Sequence, residues 1–342
     1  MKIGIVGYQG SGKSTLFHWL TGVAPDPALA HSTQSTLAAV PEPRVDSLCA
    51  IYKPKKVTLA SLELVDTPGL SRDHSGSAAK LALIREAGCL VIVTAGFAGA
   101  DALADLRNFE DDLLIADLDI VSNRLERLRE SIKKPRPNRE EQEAELKALE
   151  PLHAALEEGR PLREMELSPE QSRAIRSFQL FTEKPRLVVI NSTDDTQRVS
   201  PEVAAALPGD TRAVAISLPL QIELAGMPEE ERAEFCREME VEPRDRDELL
   251  RTIMDVSGQM LFFTAGEKEV RTWMIRQGCT AVEAAGEIHT DIAKGFIRAA
   301  TMNCEDLVRL GSEREVKAAN LMRQEPRDYV IQDGDVIEIR HN

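Results

Sequence analysis

The sequence predicts an α/β chain: a parallel sheet built behind a phosphate-binding loop, an antiparallel helical hairpin inserted into that domain, and a C-terminal β-grasp domain. Three observations carry this expectation. Apolar runs alternate with helical stretches over the first part, the rhythm of a parallel sheet covered on both faces. A glycine-rich loop, Gly7–Ser14, sits between the first apolar run and a helix. After about Ser257 the pattern changes to short strands around one helix.

Taken in order, Lys2–Val6 reads as a buried strand, and Thr15–Leu20 as a helix that stops at Gly22. Further strands are expected at Thr58–Val65, Leu90–Thr94, Leu187–Ile190 and Ala213–Ile216. Between the second and third of these, roughly residues 105–183, the pattern becomes helical. Leu114, Leu118, Val121, Leu125, Leu128 and Ile132 alternate by four and three, a heptad seam. Lys134-Pro135-Arg136-Pro137-Asn138 must end that helix, because proline removes a donor and clashes with the preceding turn. Leu146, Leu149, Leu152 and Leu156 then mark a second helix, with Gly159 as its stop. In the last part, Phe262–Thr264, Glu269–Met274 and Ile297–Ala300 read as strands and Ala281–Ile288 as a helix. Gln332-Asp333-Gly334-Asp335 reads as a tight turn joining Tyr329–Ile331 to Val336–Arg340 in a terminal hairpin. The expected domains are 1–256, carrying the insertion at about 105–183, and 257–342.

Composition narrows the function classes. A chain of 342 residues with 42% hydrophobic content supports about two real cores. A formal charge of −15 argues against an electrostatic clamp on bare nucleic acid, so no direct DNA binding is indicated. The five cysteines form no C-x-x-C pair, which fits reduced thiols in a cytoplasmic protein better than a disulfide frame or a zinc site. No apolar run approaches the ~18 residues of a membrane span, and the N-terminus leads directly into a strand rather than a signal peptide.

The candidate chemistry is concentrated in three loops. Gly7–Ser14 fits G-x-x-x-x-G-K-S/T, so Gly10, Ser11, Gly12, Lys13, Ser14 and Thr15 are expected to cradle phosphates at a helix N-terminus. Lys13 would reach the β/γ-phosphates, and the Ser14 hydroxyl would ligate Mg²⁺. Asp66-Thr67-Pro68-Gly69 follows a strand; Asp66 would hold Mg²⁺ through water, and Gly69 would donate its N–H to a γ-phosphate. Asn191-Ser192-Thr193-Asp194 is similar to N-K-x-D, whose carboxylate reads guanine, although Ser192 stands where the lysine would be. An Asx turn capping the strand is the alternative reading. Ser217, in Ala215-Ile216-Ser217, lies where a second base-contacting loop is expected. His74, in the loop after DTPG, is a candidate to approach the γ-phosphate. His289 reads as a structural or surface residue.

The chain resembles the YchF/Obg-like ATPase family of translation-factor-related P-loop NTPases, which carry a helical arm and a C-terminal TGS domain. Matching blocks run along nearly the whole chain: the phosphate loop, Pro41-Glu-Pro-Arg44, Lys53-Pro-Lys-Lys56, Asp66–Leu70, Leu125-Glu-Arg-Leu128 and Leu156-Glu-Glu-Gly159. In the last third they include Phe262-Phe-Thr-Ala-Gly266, Lys268-Glu-Val-Arg271, Ile288-His-Thr-Asp291, Lys294-Gly-Phe-Ile-Arg298, Asp328-Tyr-Val330 and Gln332-Asp-Gly-Asp-Val336. The resemblance implies a cytoplasmic nucleotide hydrolase that associates with ribosomes. It also implies that ATP is accepted as well as GTP, with Asn191 on the base side. Leu70 matches the hydrophobic residue that replaces the water-positioning glutamine of Ras-like enzymes, which implies slow turnover.

The departures from the family pattern are specific. The family loop reads G-x-P-N-V-G-K-S, whereas Gln9, Gly10 and Ser11 occupy the P-N-V positions here. The asparagine replaced by Gly10 helps related GTPases coordinate a monovalent cation. The glycine- and lysine-rich segment after the DxAGL position is shortened to Ser71–Gly76. Ser32, Thr33, Ser35 and Thr36 offer no clear switch-threonine context. Asp194 stands in place of the family glutamate. The leading expectation is a slow, Mg²⁺-dependent hydrolase of ATP and/or GTP whose nucleotide state governs engagement with the ribosome. The alternative is a nucleotide-dependent binding protein with little or no hydrolysis. A small-molecule kinase is disfavoured, because it has no use for the DTPG segment or the C-terminal domain.

Overall fold

A computed structural model describes residues 1–29, 32–73, 77–97, 99–133, 137–193, 198–207 and 211–342. The chain begins with β1 (Lys2–Val6), α1 (Lys13–Thr21), β2 (Gln34–Ala39), α2 (Arg44–Tyr52), β3 (Val57–Thr58), β4 (Ser61–Asp66), α3 (Ser77–Arg85) and β5 (Cys89–Gly96). It continues through α4 (Ala102–Ile132), α5 (Arg139–Glu157), α6 (Pro169–Ile175), β6 (Arg186–Ser192), α7 (Pro201–Ala206), β7 (Arg212–Ile216), α8 (Leu218–Gly226), α9 (Glu229–Glu238) and α10 (Arg246–Val256). The last third holds β8 (Gln259–Ala265), β9 (Val270–Arg276), α11 (Ala281–Ile288), α12 (Thr290–Lys294), β10 (Phe296–Asn303), α13 (Cys304–Leu310), α14 (Glu313–Ala318), β11 (Arg323–Glu325) and β12 (Asp335–His341).

Two compact units result: Met1–Thr36 with Glu63–Arg244, and Leu37–Leu62 with Asp245–Asn342. This differs from a division at 256/257. The amphipathic face of α10, with Leu249, Leu250, Ile253 and Met254 buried, packs against β8 and so belongs with the second unit. Val45 and Leu48 of α2 share a core with Phe263 and Val270, which draws segment 37–62 into the same unit.

In the first unit the sheet order is β2-β4-β1-β5-β6-β7. From β4 through β7 the neighbouring strands pair in parallel. Every residue of β6 is buried, as a strand covered on both faces requires. The helix stop at Gly22 is present: its φ is +73°, and its N–H donates to the His18 carbonyl.

Thr58–Val65 is not one strand. Val57 and Thr58 pair with Val270 and Arg271 in the second sheet, and Val270 N–H donates to the Lys56 carbonyl. The chain then re-enters the first sheet at Ser61.

The helical insertion has a root and an arm. Leu106, Phe109 and Leu113 of α4 lie in the core that covers the sheet, so the first turns of this helix are part of the sheet domain itself. Further along, Val121, Leu125 and Leu128 pack against Leu149, Leu152 and Leu156 of α5, confirming the heptad seam. The arm is more than a hairpin, because Leu162, Ile175 of α6 and Leu180 complete the same cluster. Residues 134–136 of the predicted helix break lie outside the described residues.

The second unit is a β-grasp sheet of order β11-β10-β12-β8-β9-β3. Ala281, Ala284 and Ala285 of α11 pack with Phe262 and Ile275 in one core. Val45, Leu48, Leu307 and Val316 pack with Phe263, Val270 and Met302 in another. The expected terminal hairpin is replaced by a different pairing. β12 pairs antiparallel with β10 and parallel with β8, while Val330 forms a single bridge to Thr280. The turn itself is present, with Asp335 N–H donating to the Gln332 carbonyl and Gly334 at φ +85°. Arg44 fastens this turn to α2: it grips Glu42 with two nitrogens and donates to Asp333 at 2.8 Å.

Candidate functional site

The phosphate loop follows β1 because only glycine fits its path. Gly7 has φ +143°, and a Cβ there would stand 2.3 Å from the Val93 carbonyl oxygen. Gly12 has φ +104°, and its Cβ would stand 2.4 Å from Asn191 Nδ2. The loop then opens directly into α1, whose first backbone N–H groups have no carbonyl partner within the helix.

Lys13, the first residue of α1, is 6% exposed, and its Nζ donates to the Tyr8 carbonyl at 2.7 Å. Burial pushes its pKa down to about 8, and Asp66 pulls it back up. Gly69 lies against this ammonium, since a Cβ at Gly69 would be 2.7 Å from Lys13 Nζ and 2.8 Å from Gln9 N. Backbone bonds hold the two segments together: Gln9 N–H donates to Leu70 O at 2.9 Å, and Leu70 N–H to Gly7 O at 3.1 Å.

Asp66 ends β4 and lines the same cavity as Ser14. Burial pushes the Asp66 carboxyl up, while Ser14, Lys13 and the Thr67 amide pull it down. Its Oδ1 is buried without a hydrogen-bond partner. An oriented, unsatisfied carboxylate oxygen next to a hydroxyl is the oxygen donor set Mg²⁺ prefers, so the residues present fit such an ion. Among the described residues no cluster of three or more His, Cys, Asp or Glu forms a metal cage, so phosphate oxygens would have to complete the coordination.

A cavity of about 280 Å³ opens over this assembly, lined by Gln9, Lys13, Ser14, Asp66 and Gly69. Asp26, Ser32 and Gln34 also line it, and no motif identified them. Their only sequence signal is position, between the phosphate-loop helix and β2.

Asn191 reaches the site from the end of β6. Its Nδ2 donates to Ser11 O at 3.2 Å, and its Oδ1 accepts from Leu218 N at 3.3 Å. The amide therefore braces the phosphate loop against the start of α8. Ser217 precedes that helix and is 1% exposed. Asp194 and His74 lie outside the described residues. Leu70 is fully buried in a core with Tyr8 and Phe109, so its side chain is committed to packing. His289 caps α12, its Nδ1 accepting from Asp291 N at 3.2 Å.

Tyr8 is a residue that the motif treats as arbitrary. Its hydroxyl donates to Asp112 of α4 at 2.8 Å, and its ring meets Phe109 edge-on at 5.5 Å. Arg72 stacks over the same ring at 5.1 Å and forms a salt bridge with Asp105 of α4 at 2.6 Å. Phosphate loop and DTPG segment thus both grip the root of the long helix.

A family described as "50S ribosome-binding GTPase" matches residues 2–134, and the YchF-type GTPase C-terminal family, described as "Protein of unknown function (DUF933)", matches residues 260–342. The chain is 32% identical to the ribosome-binding ATPase YchF of Haemophilus influenzae, covering 100% of this chain and 99% of that protein. It is 34% identical to Obg-like ATPase 1 of Oryza sativa subsp. japonica, covering 100% and 92%. The solved structure of the Schizosaccharomyces pombe YchF GTPase superposes with a TM-score of 0.86 at 28% identity, covering 99% of this chain and 97% of that one.

Proposed function

Because the chain belongs to the YchF/Obg-like ATPase family of P-loop NTPases, we propose that it binds ATP or GTP with Mg²⁺ and hydrolyses it slowly. In this reading the nucleotide state governs how it engages the ribosome in the cytoplasm. The observation that carries the reading is the convergence of Lys13, Ser14, Asp66 and Gly69 on one cavity, with a buried Asp66 oxygen left unsatisfied.

The backbone N–H groups from Gly10 to Thr15 cradle the phosphates. Lys13 exchanges the Tyr8 carbonyl for phosphate oxygens and stabilises charge on the transferring γ-phosphoryl group. Ser14 and Asp66 hold Mg²⁺, which when bound neutralises charge on the phosphate oxygens. Gly69 offers its backbone N–H to the γ-phosphate. Asn191 shapes the base side through its brace to Ser11 and Leu218, with Ser217 at the start of α8 completing that end. Leu70 presents no polar group to a water, so turnover is slow unless a partner supplies one.

The test is hydrolysis by wild type and Lys13→Ala at equal folded fraction. Loss of turnover with unchanged melting supports the reading, and equal rates sink it. Calorimetric titration with ATP and GTP analogues in Mg²⁺ then decides base preference. Burial of Leu70 favours a second reading, a nucleotide-dependent binder that does not hydrolyse. Single-turnover assays with saturating ribosomes separate the two, since absence of product over hours leaves only binding.

A further inference from the structure

Leu70 gives the attacking water no polar partner from the segment after Asp66, because its side chain is buried in the core. The wall of the phosphate cavity holds two side-chain amides, and their surroundings differ. Gln34 is committed at both ends: its Oε1 accepts from the Asp26 N–H at 3.2 Å, and its Nε2 donates to the Ala24 carbonyl at 3.5 Å. Gln9 is exposed, and among the described residues its side-chain amide has no hydrogen-bond partner.

Backbone contacts fix where the Gln9 side chain starts. Its N–H donates to Leu70 O at 2.9 Å. A Cβ at Gly69 would stand 2.9 Å from Gln9 Cα, 2.8 Å from Gln9 N and 2.7 Å from Lys13 Nζ. Gln9 therefore leaves the loop beside the Gly69 backbone and the Lys13 ammonium, the two groups placed on the γ-phosphate. The other polar side chains on that wall suit a water there less well. The Ser32 hydroxyl donates to the Leu29 carbonyl at 3.3 Å. Asp26 accepts from the Ala28 N–H at 2.9 Å, and an ionised carboxylate can only accept, so it repels phosphate oxygens. A neutral amide accepts from water through its oxygen and donates to a phosphate oxygen through its nitrogen.

We propose that Gln9 positions the attacking water, so that the phosphate loop itself supplies the group that Leu70 cannot. This rests on the reading of the chain as a nucleotide hydrolase. Gln9 Oε1 accepts from the water, and Gln9 Nε2 donates to a γ-phosphate oxygen. The water oxygen bonds to the γ-phosphorus as the bond from that phosphorus to the β–γ bridging oxygen breaks. The water proton passes to a γ-phosphate oxygen, and the amide ends the step unchanged. With no second residue to hold it, the Gln9 side chain must be ordered at each turnover, which keeps hydrolysis slow.

The experiment compares wild type, Gln9→Ala, Gln9→Glu and Lys13→Ala in the full chain by single-turnover hydrolysis of ATP and GTP. Two affinities accompany it: for a non-hydrolysable triphosphate analogue, and for the diphosphate with aluminium fluoride, which mimics the transferring phosphoryl group with its water. Gln9→Ala should lower the rate about 10²-fold, the scale of a lost positioning contact, and weaken aluminium fluoride binding. Its analogue affinity and melting temperature should hold. Gln9→Glu keeps an acceptor but loses the donor, so it should be slow as well. The proposal is overturned if Gln9→Ala matches or exceeds the wild-type rate, if Gln9→Glu matches it, or if aluminium fluoride binding is unchanged. A fall in analogue affinity in step with the rate also overturns it, since that marks a structural role. Turnover lost in Lys13→Ala but kept in Gln9→Ala removes this inference alone. No hydrolysis by wild type, or equal rates in wild type and Lys13→Ala, removes the underlying reading and this inference with it.

Discussion

Lys13 and Lys184 are buried lysines at opposite ends of one sheet. Burial pushes both down to about 8, and both donate to backbone carbonyls, Lys13 to Tyr8 at 2.7 Å and Lys184 to Ala87 at 2.5 Å. Their surroundings differ in kind. Lys13 stands in a loop whose shape is set by glycine backbone, within one short stretch of sequence. Lys184 stands among side chains gathered from distant positions. There, Asp117 accepts from Thr182 N at 2.7 Å, from Thr182 Oγ1 at 2.9 Å and from Arg85 at 3.0 Å, and Arg85 stacks on Phe181 at 3.9 Å. A site made of backbone can exchange its internal contacts for a ligand without losing the fold. A knot of side chains around a buried charge cannot.

Four substitutions sharpen that contrast. Asp117→Ala should cost about 3–5 kcal/mol of stability in urea melting, because it strips the carboxylate that Arg85 and Thr182 share. A loss under 1 kcal/mol, roughly the worth of a surface pair, would erase the distinction. Lys13→Ala should lower hydrolysis by about 10²–10³-fold, the scale of removing one charge-stabilising donor, while its melting temperature holds. Leu70→Gln should lose about 1–3 kcal/mol from an unpaired buried amide, with no gain in rate, since that position faces the core. Faster hydrolysis in this variant would show that the side chain reaches the phosphates. Tyr8→Phe should lose only about 1 kcal/mol, one hydroxyl bond to Asp112, as read from denaturant midpoints.

The same contrast explains what could be read in advance. Gly7, Gly12, Lys13 and Asp66 were legible because phosphate cradling dictates residue type and spacing together. The arm was legible because Val121, Leu125 and Leu128 repeat with a helical period. The split of Thr58–Val65 was not, because β3 is only two residues long and its pairing depends on Val270 and Arg271, more than two hundred positions away. Segment 37–62 gave no sign of joining the second unit, since Arg44 and Asp333 reveal their partnership only when folded. Tyr8, Asp26 and Gln34 escaped notice because their roles depend on position around the phosphate loop and its cavity and not on any recurring pattern.

The helix α4 runs unbroken for 31 residues from the sheet core into the arm. At 1.5 Å per residue that is a rod about 46 Å long. Its near end is clasped by Tyr8 and Arg72, and its far end carries the heptad seam. By lever arithmetic, a tilt of about 5° at the clasp sweeps the distal tip through about 4 Å, the width of a side chain.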